Sequence, residues 1–430
     1  MSNSNTSAAS QPTFGEAFPT WAKIGFLSFG GPAAQIALMH KIVVEEKGWL
    51  KEQRFLNALS FCMLLPGPEA MQLATYAGWR LHGLWGGLAA GLMFVIPGAL
   101  IILALAAFYA AVGNVPLVNA VFLGIKAAVL IVVVEALLRV AKRALHKPEH
   151  WIIAGLTFVA IFFFDLSYPL IVAVAAAFGF LRGSDSTGDE VAPEVISKSF
   201  MGTLATIVIW LVIWWAPIFA IDAIFGTKIL ADIGQFFSKL AVVTFGGAYA
   251  VLAYMAQDVV NQFGWLTAGE MMDGLGLAET TPGPLILVTE FVGFLAAYRE
   301  GGMALGVAGA AVTLWVTFAP CFLWIFAGAP YIEWICAQSR LKGALTGITA
   351  AVVGVILNLS IWFALHVIFA KVIATKYGPV VLWQPDLTTF DWQVIVLSVL
   401  CGVLMFKFHM GITWILAVSS SIGIFLALGL

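Results

Sequence analysis

The chain has 430 residues, of which 61% are hydrophobic and 10% are charged, against about 25% charged residues in ordinary soluble domains. The net charge of −2 provides no basic excess for binding nucleic acid. The four cysteines are scattered without the spacing of a metal site or a disulfide framework, so neither a metal nor another cofactor is predicted. The composition indicates an all-α polytopic membrane protein.

Nine apolar stretches are candidates for crossing the hydrocarbon core of a bilayer, which is about 30 Å thick. Six of them are long: 86–111, 116–141, 203–222, 303–328, 343–370 and 410–430. Three are shorter: 150–164 and 168–181, which together predict a helical hairpin, and 391–407. The first 13 residues are rich in Ser, Asn and Thr, and we expect a disordered tail there rather than a signal peptide.

The chain contains an internal repeat at an offset of 216 residues. Gly30-Gly31 and Pro66-Gly67-Pro68 recur as Gly246-Gly247 and Pro282-Gly283-Pro284, and 16 of the 46 positions from 23 to 68 are identical in the second copy. Two such halves, with Gly/Pro breaks at matching positions, are typical of secondary transporters. The predicted units are a tail (1–13), a first repeat (14–182), a polar loop with a linking helix (183–229) and a second repeat (230–430).

The linking helix decides the relative orientation of the two halves. A single crossing at 203–222 turns the second copy over and predicts an inverted repeat, whereas a parallel repeat would need an even number of linking crossings. Positive charges cluster at Lys142–Lys147, which places that loop in the cytoplasm by the positive-inside rule. The prediction is therefore an inner-membrane protein with a cytoplasmic amino terminus and an external carboxy terminus.

The repeated motifs interrupt the segments 14–44 and 52–80 and leave pieces of about 12–16 residues, half a crossing at about 1.5 Å per residue. Such pieces can join into broken crossings or fold back as re-entrant hairpins. We favour the re-entrant alternative because it keeps Lys47, Lys51 and Arg54 on the cytoplasmic side.

The breaks can bind an anion. Half-helices that start after Pro68 and Pro284 present free amide donors at a positive dipole end, and a glycine doublet leaves its amides uncovered. Cations inside apolar segments are further candidates, although Lys23 and Lys239 can instead snorkel to a segment end. The candidate substrate-binding residues are Gly30, Gly31, Pro66, Gly67, Pro68, Gln72, Gly246, Gly247, Thr281, Pro282, Gly283, Pro284, Lys23, Lys239 and Lys126.

Three acids lie near the breaks: Glu69, Glu279 and Glu290. Burial favours the protonated form of a carboxyl group, so each is a candidate for carrying the proton of a proton-coupled carrier. The alternative for each is a packed, hydrogen-bonded side chain without a role in transport.

The strings Phe29-Gly30-Gly31-Pro32, Leu65 to Trp79 and Ala278 to Pro284 resemble the chromate ion transporter family, in its long-chain, two-domain form. The resemblance covers nearly the whole chain and shows no departure in the core motifs. It implies an inner-membrane carrier that exports chromate and is built from inverted halves. Chromate and sulfate are both tetrahedral dianions, so both remain candidate substrates.

The leading functional prediction is proton-motive-force-driven efflux of chromate, which would confer chromate resistance. The chain has no P-loop for ATP. Uptake or exchange of sulfate or another oxyanion is the alternative within the same class. An intramembrane enzyme lacks convergent catalytic groups in the sequence, and a channel fits an inverted repeat of broken helices less well. The expected partners are the oxyanion, protons or another coupling ion, and the bilayer, with a homodimer left open.

Overall fold

The computed structural model describes residues 11–112, 115–183, 200–245 and 248–427. The predicted tail 1–13 lies mostly outside these residues, as do most of the polar loop 183–199 and the doublet Gly246-Gly247. Thr13 is described, and it is the N-cap of the first helix: its hydroxyl accepts from the Glu16 amide while the Glu16 carboxylate accepts from the Thr13 amide.

The first repeat begins with two helical hairpins. Hairpin 1 consists of α1 (Phe14–Leu27) and α2 (Gly31–Met39), which continues as a π-helix (His40–Glu46). Hairpin 2 consists of α3 (Glu52–Leu64) and the first arm of α4 (Glu69–Val112). The helices that follow are α5 (Pro116–Ala144), α6 (Pro148–Phe162) and α7 (Tyr168–Arg182), and α8 (Phe200–Phe225) leads to the second repeat.

The second repeat has the same order of elements. Hairpin 3 consists of α9 (Lys228–Val243) and α10 (Ala248–Gln257), which continues as a π-helix (Asp258–Gln262). Hairpin 4 consists of α11 (Ala268–Thr280), a 3₁₀ turn (Leu285–Leu287) and the first arm of α12 (Val288–Gly328). A 3₁₀ turn (Ala329–Tyr331), α13 (Ile332–Ala337), α14 (Ser339–Ile368), β1 (Val372–Tyr377), β2 (Val380–Pro385), a 3₁₀ turn (Leu387–Thr389), α15 (Trp392–Phe406) and α16 (Ile412–Ala427) follow.

The long helices α4 and α12 both turn sharply near their first third. His82 and Gly83 leave the helical region in α4, and Gly301 and Gly302 do so in α12 with closely similar dihedral angles. Each helix is thereby divided into a short arm (69–81 or 288–300) and a long helix (84–112 or 303–328). The backbones of the two parts of α4 touch at Gly78, where a Cβ would collide with the carbonyl of residue 86.

Contacts across each break show that the arms fold back on one another. Trp21 and Trp49 have ring centroids 6.0 Å apart, although one straight helix would separate them by about 42 Å. In hairpin 4, the Arg299 guanidinium donates to the Glu270 carboxylate across the same kind of break. The rings of Phe236 and Phe263 lie 5.1 Å apart in hairpin 3, and Arg54 approaches Tyr76 in hairpin 2. The motif segments therefore form hairpins, as the re-entrant alternative requires.

The connecting segments define two opposite faces of the helical bundle. Hairpins 1 and 2 open at the first face, where the His82 ring Nε2 lies 2.7 Å from the Pro12 carbonyl oxygen. The long part of α4 leaves this face and α5 returns to it. Hairpins 3 and 4 open at the second face, which α8 reaches from the first. Hairpins of the two repeats thus enter from opposite faces, which is the arrangement of an inverted repeat.

The two repeats exchange their outer helices. Helix α5 of the first repeat packs against α15 and α16, while α14 of the second packs against α6 and α7. Gly124 meets the backbone at Ser419, and its counterpart Gly347 meets the backbone at Ala175, so that a Cβ at either glycine would collide with a carbonyl oxygen. The same small-residue contact is therefore used twice, and it fastens each half to the other.

The predicted crossings are present as helices. Two further features are the exposed apolar surface of α8 and a β-hairpin between α14 and α15. In the part of the chain that the structure describes, five helical stretches are long and apolar enough to span a bilayer, and four shorter apolar helices accompany them. In helix α8, only 11% of the most apolar 18-residue stretch is buried within the protein. The helix therefore presents an apolar surface that suits contact with lipid. Between α14 and α15, residues 372–385 form an antiparallel β-hairpin, and the other regular elements of the described residues are helices.

Candidate functional site

The tips of the four hairpins meet in pairs across the two repeats. We name them by residue number: tip 1 is 28–30, tip 2 is 65–68, tip 3 is 244–245 and tip 4 is 281–284. The Gly67 amide of tip 2 donates to the Thr244 carbonyl of tip 3, at 2.8 Å. The Gly283 amide of tip 4 donates to the Ser28 carbonyl of tip 1, also at 2.8 Å.

These two hydrogen bonds are the same contact made twice. Ser28 and Thr244 are equivalent positions in the repeat, and so are Gly67 and Gly283, both pairs at the offset of 216 residues. When each of two units makes the same contact to the other, a two-fold axis relates the two units. The four tips therefore converge on a pseudo-two-fold axis that relates the halves.

Glycine is required at positions 67 and 283 by both dihedral angle and space. Gly67 has φ +118° and Gly283 has φ +92°, values that other residues rarely adopt. A Cβ on Gly67 would lie 2.9 Å from the Cys321 sulfur and 2.9 Å from the Gln72 side-chain nitrogen. At Gly283 it would lie 3.1 Å from Leu287. The Pro-Gly-Pro motif thus lets the backbones of neighbouring elements come close enough to bond.

Two buried glutamines reinforce the tips. The Gln35 Nε2 donates to the carbonyl oxygens of Ser28 at 3.2 Å and Gly283 at 2.7 Å, and so bridges tips 1 and 4. The Gln72 Nε2 donates to the Pro66 carbonyl at 2.7 Å within tip 2. Gln72 was among the sequence candidates, whereas Gln35 was missed because no motif surrounds it.

At the junction where the four tips meet, more hydrogen-bond donors than acceptors are left for a ligand, because internal hydrogen bonds occupy several of the carbonyl oxygens. The first arm of each hairpin ends there with carbonyl groups, and the second arm begins there with amide groups. The carbonyl oxygens of residues 28, 66, 244 and 283 accept hydrogen bonds from tip amides or from the two glutamines. The first amides of the second arms, such as those of Glu69, Ala70 and Met71, have no acceptor within their own helix. Helix amino termini of this kind favour negative charge.

The surroundings of the first glycine doublet are open, whereas those of Gly67 are crowded. Gly30 and Gly31 have φ +83° and +81°, and a Cβ on Gly31 would meet nothing within 4 Å. The left-handed backbone conformation, and not a close approach, is what favours glycine here. Phe29 beside the doublet is 46% exposed. The second doublet, Gly246-Gly247, lies outside the described residues.

Each predicted acid has a different environment. Glu69 is the first residue of the second arm at tip 2. Glu279 lies one turn before tip 4, and its carboxylate accepts from the Tyr249 hydroxyl at 2.6 Å. Glu290 is 1% exposed, and its Oε2 has no partner among the residues that the structure describes. An unpaired buried charge is costly, which makes Glu290 a candidate for holding a proton.

Two arginines of α5 reach the tips, and sequence reasoning missed both as site residues. Arg139 forms an i, i+4 pair with Glu135, at 2.5 and 3.1 Å, and lies close enough to interact electrostatically with Glu279 near tip 4. Arg143 approaches the Met63 sulfur at 3.2 Å and interacts electrostatically with Glu69 at tip 2. In the sequence, Arg143 is part of the positive cluster that indicates orientation, which concealed its closeness to a break.

The three predicted lysines lie away from the tips. Lys23 is exposed on α1, about 10 Å of helix before its break. Lys239 occupies the equivalent place on α9, with its ammonium 5.7 Å from the centroid of the Tyr254 ring. Lys126 pairs with Asp273 at 3.5 Å, and the same carboxylate accepts from the Tyr109 hydroxyl at 2.8 Å. Lys126 therefore has its charge balanced within the helical bundle.

Within the described ranges, no group of three or more His, Cys, Asp or Glu side chains could hold a metal ion. The site is thus built from backbone amides, glutamines, arginines and carboxyl groups. Groups of these kinds can bind an anion, and the carboxyl groups are candidates for exchanging protons.

Comparison with known proteins decides the family. The model of the family described as "Chromate transporter" matches residues 15–180 and 231–424, one match for each repeat. The chain belongs to the chromate transporter family. This confirms the resemblance and agrees with the two homologous halves.

Curated members of the chromate transporter family match most of the chain. The chromate transport protein of Pseudomonas aeruginosa is 31% identical over 368 residues, 82% of each chain. The probable chromate transport protein of Synechococcus elongatus is 30% identical and covers 78% of this chain and 80% of its own. The chromate transport protein of Cupriavidus metallidurans is 29% identical over 78% of both chains. No solved structure matches.

Proposed function

We propose that the protein carries chromate out of the cytoplasm across the inner membrane and thereby confers chromate resistance. The observation that carries the proposal is the junction of the four tips. The carbonyl oxygens of residues 28, 66, 244 and 283 accept hydrogen bonds from internal donors, the second arms begin there with helix amino termini, and Arg139 and Arg143 interact electrostatically with the nearby acids. Such a junction favours a small dianion, and relatives of the chain are named for chromate.

The orientation proposed for the chain follows from its charges. Lys142, Arg143 and Lys147 belong to the first face, and Arg340 lies over the Phe180 ring near the same face. Positive loops stay in the cytoplasm, so we place the first face and the amino terminus inside. Helix α16 ends beside the start of α5, with Gly423 next to Ala120. The carboxy terminus is then outside.

The membrane potential favours export of a dianion. Moving one elementary charge across 100 mV changes the free energy by about 2.3 kcal/mol, so a dianion leaving an inside-negative cell gains about 4.6 kcal/mol per 100 mV. Inward protons can add to this force. Glu279 and Glu290 lie close enough to the tips to link their own protonation to the occupancy of the site, and Glu69 is a third candidate.

Flux into everted membrane vesicles tests the proposal, because export from the cell becomes accumulation inside the vesicle. We expect radiolabelled chromate to accumulate in everted vesicles that contain the protein, and accumulation to increase when the vesicle interior is acidic. The double variant in which glutamine replaces both Arg139 and Arg143 should have an initial rate at least about tenfold lower. Each arginine is expected to contribute a charge-assisted hydrogen bond to the anion. Arg182→Gln on the same face is the control, with an unchanged rate.

Three outcomes would contradict parts of the proposal. Accumulation only in right-side-out vesicles would reverse the direction. Preferential transport of radiolabelled sulfate, with chromate a weak competitor, would make the protein a sulfate carrier. An unchanged rate in the double arginine variant would remove the arginines from the site.

A further inference from the structure

A polar cavity of about 630 Å³ opens at the second face, away from the tips. Both arms of hairpin 3 form one wall, α14 forms another, and the α6–α7 loop and the β-hairpin cover the opening. Lys376 of the β-hairpin pairs with Asp165 of the loop at 3.6 Å, and the Val381 amide donates to the Phe163 carbonyl at 2.7 Å. The cover is thus fastened over the cavity by one ion pair and one backbone hydrogen bond.

Lys239 supplies a cation to this cavity. It lines the wall from α9, and its ammonium lies 5.7 Å from the centroid of the Tyr254 ring, also in the wall. The salt bridges of the described residues do not include Lys239. Asp258 of the same wall interacts electrostatically with Lys239 without forming a salt bridge to it, so the ammonium keeps donors free for an anion in the cavity.

Two further wall residues are buried polar groups without partners. Asn358 is 1% exposed, and within the described ranges neither its side-chain nitrogen nor its oxygen has a hydrogen-bond partner. The Tyr168 hydroxyl is equally unpartnered, on a residue that is 2% exposed. Native proteins rarely leave such groups unsatisfied, so both are available to a water molecule or to another polar ligand.

The carboxylates of the cavity are already engaged. Asp165 is held by Lys376, and Asp258 interacts with the Tyr254 hydroxyl. The donors on which the argument depends are the Lys239 ammonium, the Asn358 amide and the Tyr168 hydroxyl, and the amide side chains of Gln257, Asn261 and Gln262 also line the cavity. One cation with two neutral donors matches a tetrahedral oxyanion, which offers several acceptor oxygens and no donor.

The polar wall that hairpin 3 and α14 form in this cavity differs from the corresponding surface of the first repeat. The counterparts of Tyr254 and Asp258 in the first repeat are Leu38 and Ile42, and the counterpart of Asn358 is Glu135. Lys23, the counterpart of Lys239, therefore has no equivalent polar wall beside it. The arrangement is specific to the second face.

We propose that this cavity is a second binding site for a tetrahedral oxyanion, separate from the tips, with Lys239 as its cation and Asn358 and Tyr168 as donors. The proposal rests on the proposed function, in which it is the site that the exported anion occupies at the external face after leaving the tips. The β-hairpin covers it, and opening of the Lys376–Asp165 pair releases the anion.

Equilibrium binding to the full chain in lipid nanodiscs tests this site. The probe is radiolabelled chromate, with unlabelled sulfate, molybdate and phosphate as competitors. We expect two bound anions per chain, one of which is lost or weakened at least about tenfold in Lys239→Gln and in Tyr168→Phe. Lys239→Arg keeps the charge and should retain the second anion. Lys228→Gln is the matched control, an exposed lysine on the same helix outside the cavity.

The outcomes separate this site from the proposed function. Chromate flux with a single bound anion, unaffected by Lys239→Gln, leaves the proposed function standing and overturns the second site. Binding of another tetrahedral oxyanion that depends on Lys239, without chromate binding, supports the site and contradicts the proposed substrate. Absence of binding by every oxyanion of the panel overturns the site. Equal weakening in Lys228→Gln and Lys239→Gln overturns it as well.

Discussion

Replacing Gly67 with alanine tests whether the hydrogen bonds between tips hold the two repeats together. The positive φ of +118° disfavours alanine by about 1–3 kcal/mol. The new Cβ would also press on the Cys321 sulfur and the Gln72 nitrogen, both at 2.9 Å. If the tip moves to relieve these contacts, the bond to the Thr244 carbonyl is weakened, at a cost of about 0.5–1.5 kcal/mol. Together these two contributions predict a destabilisation of about 1.5–4.5 kcal/mol.

Gly264 offers a matched control for this variant. Its φ is +62°, and a Cβ there would meet nothing within 4 Å, so Gly264→Ala adds backbone strain without a collision. We expect it to cost about 1–2 kcal/mol. Two quantities are measured. Titration with a denaturing detergent in mixed micelles gives the apparent free energy of unfolding, and everted vesicles give the chromate flux. Gly67→Ala should lower both, and Gly264→Ala should leave flux unchanged.

A double variant identifies the collision itself. Cys321→Ala removes the sulfur that the new Cβ would meet, so Gly67→Ala should cost about 1 kcal/mol less in that background than in the native one. The reasoning would be refuted if the two changes were additive. It would equally be refuted if Gly67→Ala unfolded at the same detergent fraction as Gly264→Ala and transported normally.

Three further predictions follow from the same geometry. Gly31→Val should abolish flux in a protein that still inserts, because a β-branched residue does not adopt φ +81°; normal flux would show that the tip tolerates another conformation. Lys126→Gln should lower the thermal denaturation temperature by leaving Asp273 unpaired, at a cost of more than about 1 kcal/mol, and adding Asp273→Asn should restore most of it; a further loss would argue against the pair. Glu279→Gln should make chromate flux less dependent on an imposed pH gradient, measured as initial rates, whereas an unchanged dependence would leave Glu290 and Glu69 as the candidate proton carriers.

The helices and the positions of their breaks could be predicted from the sequence, because both depend on local composition. Apolar stretches mark crossings wherever they occur, and Pro-Gly-Pro interrupts a helix in any surroundings. The predicted stretches 116–141 and 343–370, for example, correspond to α5 and α14. The repeat itself was equally readable, and the family follows from the same motifs.

The pairing of the tips was beyond the sequence. Identical motifs in two copies do not show whether tip 2 meets tip 3 or tip 4, since that choice depends on packing between segments far apart in the chain. For the same reason Lys126 was predicted at the binding site, although Asp273 balances its charge. Gln35 and Arg139 have no local signal of a site, and only the fold brings them to the tips.

The two repeats share a backbone plan and differ in the side chains around it. The exchanged hydrogen bonds of Gly67 and Gly283 have equal lengths, so the junction is symmetric where main chain meets main chain. The charged side chains break this symmetry: Arg139 has Trp362 as its counterpart, and Glu279 has Met63. Both arginines therefore come from the first repeat, as does Glu69, whereas Glu279 and Glu290 come from the second. Because the arginines and the two acids of the second repeat belong to opposite halves, any relative movement of the halves changes the distance between them, and the proposed protonation of Glu279 or Glu290 would influence the proposed anion binding through that distance.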